Sequence, residues 1–264
     1  MISRIAFLYI SYFAWGCLVL LPVVRLQEAG QGFYRFFGFA CVSLQTVALG
    51  LSLYMGSSFS GNFQKSTWAL AFSLFFTLCF TIALKIRVRW FLWGCFVLAV
   101  GAGLVSIGYL PWLEPGFNPL LFFALNAVSS ALALGAVTLA MMLGHWYLVT
   151  PKLSIEPLKR YSALYILLTV WTALKLTFGF FYFTHSLEQG PNHFFERINQ
   201  ESIFILFRVS WGLLVPLGLS YWIWATVKMK STQSATGILY AAMVCTMMGE
   251  GMGIYLTLRT GIPF

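Results

Sequence analysis

The stretch LLFFALNAVSSALALGAVTLAMMLGHWYLV, residues Leu120–Val149, decides the fold class because it contains no Asp, Glu, Lys or Arg. The hydrocarbon core of a bilayer is about 30 Å thick, and an α-helix needs about 20 apolar residues to cross it. In lipid, every backbone N–H and C=O group has to find its partner within the protein, which a helix achieves. The stretch therefore predicts a membrane-spanning helix.

Apolar runs of similar length lie on both sides of this stretch. They are about Ile5–Val24, Phe36–Met55, Thr67–Leu84, Trp90–Leu110, Tyr161–Thr184, Ile203–Val227 and Ile238–Leu258. The segments between the runs are short, and prolines such as Pro111 and Pro115 stop helices there. The sequence thus predicts an all-α membrane protein with eight transmembrane helices and very short loops, forming a single polytopic domain over residues 1–264.

The composition excludes several classes of protein. Of the 264 residues, 60% are hydrophobic and 9% are charged, whereas a soluble domain carries about 25% charged residues. So few charges cannot cover a water-soluble globule, which excludes a soluble enzyme or a disordered chain. The net charge of +9 comes from basic residues in short segments between apolar runs. We therefore expect the lipid bilayer, and not nucleic acid, as the partner of this chain.

The distribution of basic residues predicts the orientation. The segments after the first, third, fifth and seventh runs contain ten Lys and Arg residues, whereas the other segments and the two ends contain four. Cytoplasmic loops of membrane proteins carry the excess of basic residues. The sequence therefore predicts an integral protein of the bacterial inner (cytoplasmic) membrane, with both termini outside, on the periplasmic side.

A short pattern occurs twice and hints at a tandem repeat. In each case a Gly-x-Gly is followed by an apolar residue, a proline and an aromatic residue. The first copy uses Gly101, Gly103 and Leu110-Pro111-Trp112, and the second uses Gly249, Gly251 and Ile262-Pro263-Phe264. Two four-helix halves, residues 1–112 and 113–264, would explain the pattern. Chance similarity between apolar sequences is the alternative.

Three charged residues lie inside the apolar runs, namely Lys175, Arg208 and Glu250. Each costs about 2.5–3.5 kcal/mol to insert, so such residues serve a function or pair with one another. At about 1.5 Å per residue, all three and Asn126 fall roughly 18–22 Å from the cytoplasmic side. Trp171 lies one helical turn before Lys175 and is expected to share its face.

We therefore expect a ligand-binding pocket that opens outward and is lined by Asn126, Trp171, Lys175, Arg208 and Glu250. Two cations against one anion favour a ligand with negative charge, or the carbonyl oxygens of a quinone. The alternative is a structural cluster in which Lys175 or Arg208 neutralises Glu250.

A second group of residues is predicted at the cytoplasmic interface. His145 and Trp146 end the fifth run, and the basic residues Lys152, Lys159 and Arg160 follow. Together they fit an anionic lipid headgroup or a partner subunit of a membrane complex. An ordinary interfacial belt of aromatic residues is the alternative.

The sequence contains no recognisable buried metal or haem site. All five cysteines lie inside apolar runs without a Cys-x-x-Cys pair, which argues against zinc and iron–sulfur sites. His145 has no histidine at its own depth, so a buried bis-His haem is not expected. His185 and His193 lie in the sixth loop and could ligate a metal or haem at the outer surface, with ordinary solvated histidines as the alternative. The cofactor is unknown, and a quinone stays open.

Three functions remain. The first is a membrane-embedded module of a respiratory or other redox complex, with an outward-facing polar pocket for a quinone or an anionic ligand. The second is a transporter of small solutes, in particular anions. The third is a structural or assembly subunit without a ligand. Catalysis by this chain alone is the weakest hypothesis, because no nucleophile–base pair or metal set is visible.

Overall fold

The structure is a computed structural model that describes residues 1–55, 61–86, 89–108, 120–149, 153–186 and 201–264. These residues form helices and no strands. Eight of the described helices are long and apolar enough to cross a membrane. This confirms the predicted all-α class and the predicted number of apolar helices.

The eight helices are named here in chain order. They are α1 (Ile2–Leu20), α2 (Leu26–Met55), α3 (Gly61–Ile86), α4 (Arg89–Gly108), α5 (Leu120–Val149), α6 (Glu156–Ser186), α7 (Ser202–Lys228) and α8 (Thr232–Thr260). Several begin before the apolar runs, most clearly α2. The hydropathy of the sequence marks only the part of a helix that fits the bilayer core, and polar turns extend beyond it.

The chain bends sharply between α1 and α2. A short 3-10 helix, Leu21–Val23, follows α1 and contains Pro22. Within α2, Gly30 has φ 82° and ψ 160°, a conformation that glycine adopts without steric cost. The first turn of α2 is therefore separate from the long helix after it. The Tyr34 hydroxyl donates to the Val24 carbonyl at 2.5 Å and fixes this bend.

The helices pack in two groups of four. In the first group, α1 contacts α2 and α4, while α3 contacts α2 and α4. In the second group, α5 contacts α6 and α8, while α7 contacts α6 and α8. The groups meet mainly where α1 packs against α5. The predicted boundary of the two halves, between residues 112 and 113, lies outside the described residues, and the division into related halves stays a prediction.

The contact between α1 and α5 is a close approach of two backbones. A Cβ atom on Gly16 would lie 1.7 Å from the Ala131 carbonyl oxygen, and one on Gly135 would lie 2.2 Å from the Gly16 carbonyl carbon. Small residues stabilise helix pairs in membranes by letting the backbones touch. This crossing makes α5 the most buried of the described helices.

Helix α7 is irregular at its centre. It is α-helical over Ser202–Val209 and Val215–Lys228, with π-helical geometry over Ser210–Leu214 between them. Pro216 lacks an N–H group and would leave the carbonyl one turn earlier unpaired in a regular helix. The π turn begins two residues after Arg208, and such turns occur frequently at functional sites.

Candidate functional site

The side chain of Arg208 on α7 forms a buried ion pair with Glu250 on α8. Its Nη2 atom lies 2.9 Å from Oε1 of Glu250. The exposed fractions of these side chains are 0% for Arg208 and 2% for Glu250. The sequence predicted that Glu250 faces Lys175 or Arg208, and the structure identifies Arg208 as its hydrogen-bonded partner.

Three glycines leave the space that the Arg208 guanidinium occupies. A Cβ atom on Gly249 would lie 2.2 Å from the Cα of Gly212 and 3.1 Å from Nη1 of Arg208. A Cβ atom on Gly253 would lie 3.1 Å from Nε of the same side chain. The glycines around Glu250 thus let α7 and α8 approach closely while a large cation is held between them.

Lys175 on α6 brings a second cation to the same cluster. Its side chain is 6% exposed, and its Nζ atom donates to the Ser129 hydroxyl at 3.2 Å. The ammonium group lies within electrostatic range of both Arg208 and Glu250. The hydroxyl of Ser130 approaches the Glu250 carboxylate. Each of the four helices α5–α8 therefore contributes a polar side chain to the cluster.

Asn126 belongs to the same face of α5. Its backbone carbonyl accepts a hydrogen bond from Ser129 at 2.9 Å, and its side chain is 7% exposed. Residues three or four apart lie on one side of a helix. The side chain of Asn126 is therefore placed one turn along α5 from the two serines that contact the charged residues.

Trp171 is the sequence-predicted site residue that the structure leaves outside the cluster. Its side chain is 46% exposed on the outer surface of the helix bundle, whereas that of Lys175 is buried. Four residues advance a helix by about 400°, which leaves an offset of about 40° between the two positions. That offset separates a residue facing the bundle from one at its edge.

The cluster carries surplus charge and unused hydrogen-bonding groups. Arg208 and Lys175 supply two positive charges, and Glu250 supplies one negative charge. The atoms Nε and Nη1 of Arg208, Oε2 of Glu250 and Oδ1 of Asn126 are buried without a hydrogen-bond partner. A guanidinium presents its N–H groups in a planar fork that matches the oxygens of a carboxylate or phosphate. The unpaired groups of Arg208 therefore have the chemistry that an anionic group would match, and binding of a ligand here stays a prediction.

Tyrosines of α1 complete the surroundings, and sequence reasoning missed them. Tyr9 and Tyr12 lie within electrostatic range of the Glu250 carboxylate. A Cβ atom on Gly251 would lie 3.7 Å from Cε2 of Tyr9. Neither tyrosine is charged, so neither stood out from an apolar run. The same holds for the serines of α5, because only their contacts distinguish them from other small residues of that helix.

The residues of the predicted cytoplasmic interface lie at one end of the bundle, where several have intramolecular partners. Arg160 contacts Glu28 at 2.9 Å, and Lys159 contacts Glu156 at 2.7 Å. The other contacts join His145 to the Tyr240 hydroxyl at 3.3 Å and Trp146 to the ring of Phe33. Lys152 lies outside the described residues. A role of this group in binding a lipid or a subunit stays a prediction.

The part of the chain that the structure describes contains no group of three His, Cys, Asp or Glu residues that could hold a metal ion. The backbone of His185 is described as part of α6, but its side chain and all of His193 lie outside the described residues. The two alternatives for these histidines, ligands of a metal or haem and ordinary solvated side chains, therefore stay predictions.

No protein-family model matches the sequence, and a comparison with curated proteins finds no similar chain. Any inference about function therefore rests on the fold and on the buried cluster of charged residues. The eight apolar helices are compatible with a polytopic membrane protein. The buried cluster of one Arg, one Lys and one Glu distinguishes the α5–α8 half from the rest of the described molecule.

Proposed function

We propose that this chain is an integral membrane protein that binds a small anion between α6, α7 and α8 and carries it across the membrane. The observation behind this proposal is the Arg208 guanidinium, which is fully buried and has two nitrogen atoms, Nε and Nη1, without a hydrogen-bond partner. Lys175 next to it adds a positive charge for which the cluster has no second carboxylate. An anion with oxygen atoms would accept hydrogen bonds from Arg208 and would compensate the charge of Lys175.

The energetics support an anion over a neutral solute. A buried charge whose partner is removed destabilises a protein by about 3–5 kcal/mol. A cluster with one surplus cation therefore has a strong electrostatic preference for a negatively charged ligand. Hydrogen bonds to charged groups contribute about 1.5–3 kcal/mol each. Both effects grow in a site with little water.

Helix α7 provides a route by which the site can open. Its π turn over Ser210–Leu214 lies between Arg208 and Pro216, and α7 meets α8 where Gly212 faces Gly249. We expect the segment Ser202–Val209 to move relative to the rest of α7 and to expose Arg208 toward the outer side. Discontinuous helices with a substrate site at their break are typical of transporters.

A quinone-binding module of a redox complex is the second candidate. The carbonyl oxygens of a quinone can accept the same Arg208 N–H groups, and the rings of Tyr9 and Tyr12 beside the cluster offer surfaces for its ring. Partner subunits would supply the redox centres. In the third hypothesis, an assembly subunit, the charges hold the helices together and no ligand binds.

The proposed location is the bacterial inner membrane, with both termini in the periplasm and with residues 1–112 and 113–264 as related halves. An alkaline phosphatase fusion after Phe264 should be active, because the enzyme folds only in the periplasm. A fusion between Lys85 and Arg89 should be inactive. The reverse pattern of activities would refute the orientation.

The binding proposal can be tested by ligand-induced thermal stabilisation of the purified protein. Acetate, succinate, phosphate and a water-soluble benzoquinone should be compared at constant ionic strength, since a ligand raises the melting temperature with its occupancy. We expect at least one anion to stabilise the wild-type protein and to lose about 10–100-fold in affinity in Arg208→Gln.

A matched control is Lys65→Gln, which removes one exposed positive charge of α3 outside the cluster. Stabilisation by the benzoquinone but by no anion would favour the redox module. If Lys65→Gln and Arg208→Gln lowered the response to anions equally, or if no ligand stabilised the wild-type protein, the binding proposal would be wrong.

A further inference from the structure

A cavity of about 600 Å³ lies at the end of the bundle that the charge distribution predicts to be cytoplasmic. The start of α2, the end of α3 and the start of α4 form its walls. Its polar part is formed by Arg25, Gln27, Gln31 and Arg89, and its apolar part includes Trp93 and Phe96. The volume falls in the range of small-molecule sites, about 300–1,000 Å³.

Arg25 lies within electrostatic range of Glu28, but that carboxylate is already engaged by other groups. Glu28, the nearest carboxylate along the chain, accepts hydrogen bonds from the backbone N–H of Arg25 at 3.0 Å and from the guanidinium of Arg160 at 2.9 Å. The guanidinium groups of Arg25 and Arg89 form no ion pair within the described ranges. Two positive charges therefore line one cavity, and neither forms an ion pair within the described residues.

The cavity has a polar part and an apolar part, which match the headgroup and the acyl chain of a lipid. The arginines and glutamines are exposed, whereas Phe96 is 8% exposed and forms an apolar wall. Trp93 is 44% exposed at the rim, and tryptophan is enriched at the boundary between headgroups and acyl chains. A soluble anion would use the polar part alone, while a phospholipid would use both parts.

We propose that this cavity binds an anionic phospholipid, with its phosphate between Arg25 and Arg89 and its acyl chain along Phe96 and Trp93. The glutamines Gln27 and Gln31 would bind the hydroxyl groups of a glycerol headgroup. Anionic lipids are concentrated in the cytoplasmic leaflet, which agrees with the predicted orientation. The sequence pointed instead to Lys152, Lys159 and Arg160, but the structure pairs two of those residues with carboxylates.

Native mass spectrometry of the detergent-purified full chain tests the proposal. Dioleoyl phosphatidylglycerol is titrated against the wild-type protein, Arg25→Gln, Arg89→Gln and the double variant. A basic residue near an anionic headgroup contributes about fivefold in affinity. We expect a loss of about fivefold in each single variant and about 25-fold in the double variant, with unchanged melting temperatures in lipid-free detergent.

Lys85→Gln is the matched control, because it removes an exposed charge at the same end of α3 and does not line the cavity. Its affinity should stay within twofold of the wild-type value. An equal loss in Lys85→Gln would show that only the general surface charge attracts the lipid. Equal binding of dioleoyl phosphatidylcholine would overturn the choice of an anionic lipid. Tight binding of glycerol 3-phosphate would make the cavity a site for a soluble anion.

Discussion

The α1–α4 half and the α5–α8 half both bury polar side chains, but only the second buries charged ones in the described part of the chain. In the first half, Gln45 donates to the Ser73 hydroxyl at 3.1 Å, and Ser73 donates to the Ala99 carbonyl at 2.8 Å. Ser66 and Ser106 donate to each other's backbone carbonyls. These neutral groups use their donors within the protein.

The second half leaves donors of a charged group unused, whereas the unpaired buried atoms in the described part of the first half, Ser11 Oγ and Gln45 Oε1, are neutral. Arg208 forms one hydrogen bond to Glu250 and keeps two buried nitrogen atoms without a hydrogen-bond partner, and Lys175 adds a further charge. Hydrogen bonds between neutral groups can hold helices together at a small desolvation cost, whereas burying a charge has a large free-energy cost unless the charge is compensated. The comparison supports our proposal that the α1–α4 half is a scaffold and that the α5–α8 half holds the site.

The largest expected effect on stability comes from Glu250→Gln. The substitution leaves both cations of the cluster uncompensated and should lower the free energy of unfolding by about 3–5 kcal/mol. The double variant Glu250→Gln/Arg208→Met removes the stranded guanidinium as well and should recover more than half of that loss. Unfolding in mixed micelles measures both values. A double variant as unstable as the single one would contradict the charge argument.

A smaller loss is expected from Gly249→Ala. The new Cβ atom would lie 2.2 Å from the Cα of Gly212, so α7 and α8 have to separate, at a cost of about 3 kcal/mol. Gly101→Ala on α4 is the control, because a Cβ atom there meets nothing within 4 Å. The melting temperature of Gly249→Ala should be lower than that of Gly101→Ala. Equal stability of both variants would mean that the contact between α7 and α8 is looser than the structure indicates.

The smallest effect on stability is expected from the hydrogen bonds between neutral groups in the α1–α4 half. Ser73→Ala removes the hydroxyl between Gln45 and the Ala99 carbonyl and should cost about 1 kcal/mol or less, as is usual for hydrogen bonds between membrane helices. The same unfolding assay, with anion binding as a second readout, checks this. Reduced anion binding in Ser73→Ala would contradict the division into scaffold and site.

The helices could be predicted because the thickness of a bilayer fixes the length of an apolar run. The same length argument placed Lys175, Arg208 and Glu250 at one depth, and all three lie in the cluster. Depth does not define the direction of a side chain around its helix. For that reason the sequence left open which cation pairs with Glu250, and it placed Trp171 with Lys175 although Trp171 faces outward.

The start of α2 shows a second limit of the sequence. Residues 26–35 are polar and were predicted as a loop, yet they are mostly helical, with a break at Gly30. Hydropathy alone does not distinguish a polar helical turn at the interface from a loop. The cavity at Arg25 and Arg89 was missed for this reason, since three separate segments of the chain build it.

The central claim is that an anion binds beside Arg208. The most direct test is to measure the affinity for one anion in variants that change the charge of the cluster. The dissociation constant of the best-binding anion of the panel is measured by isothermal titration in the wild-type protein, Glu250→Gln and Lys175→Met. If the anion binds beside Arg208, the affinity should rise about tenfold in Glu250→Gln and fall about tenfold in Lys175→Met, because a change of one nearby charge contributes a few kcal/mol at most in such a site. The same dissociation constant in all three proteins would show that the anion binds elsewhere and that the buried charges serve the structure alone.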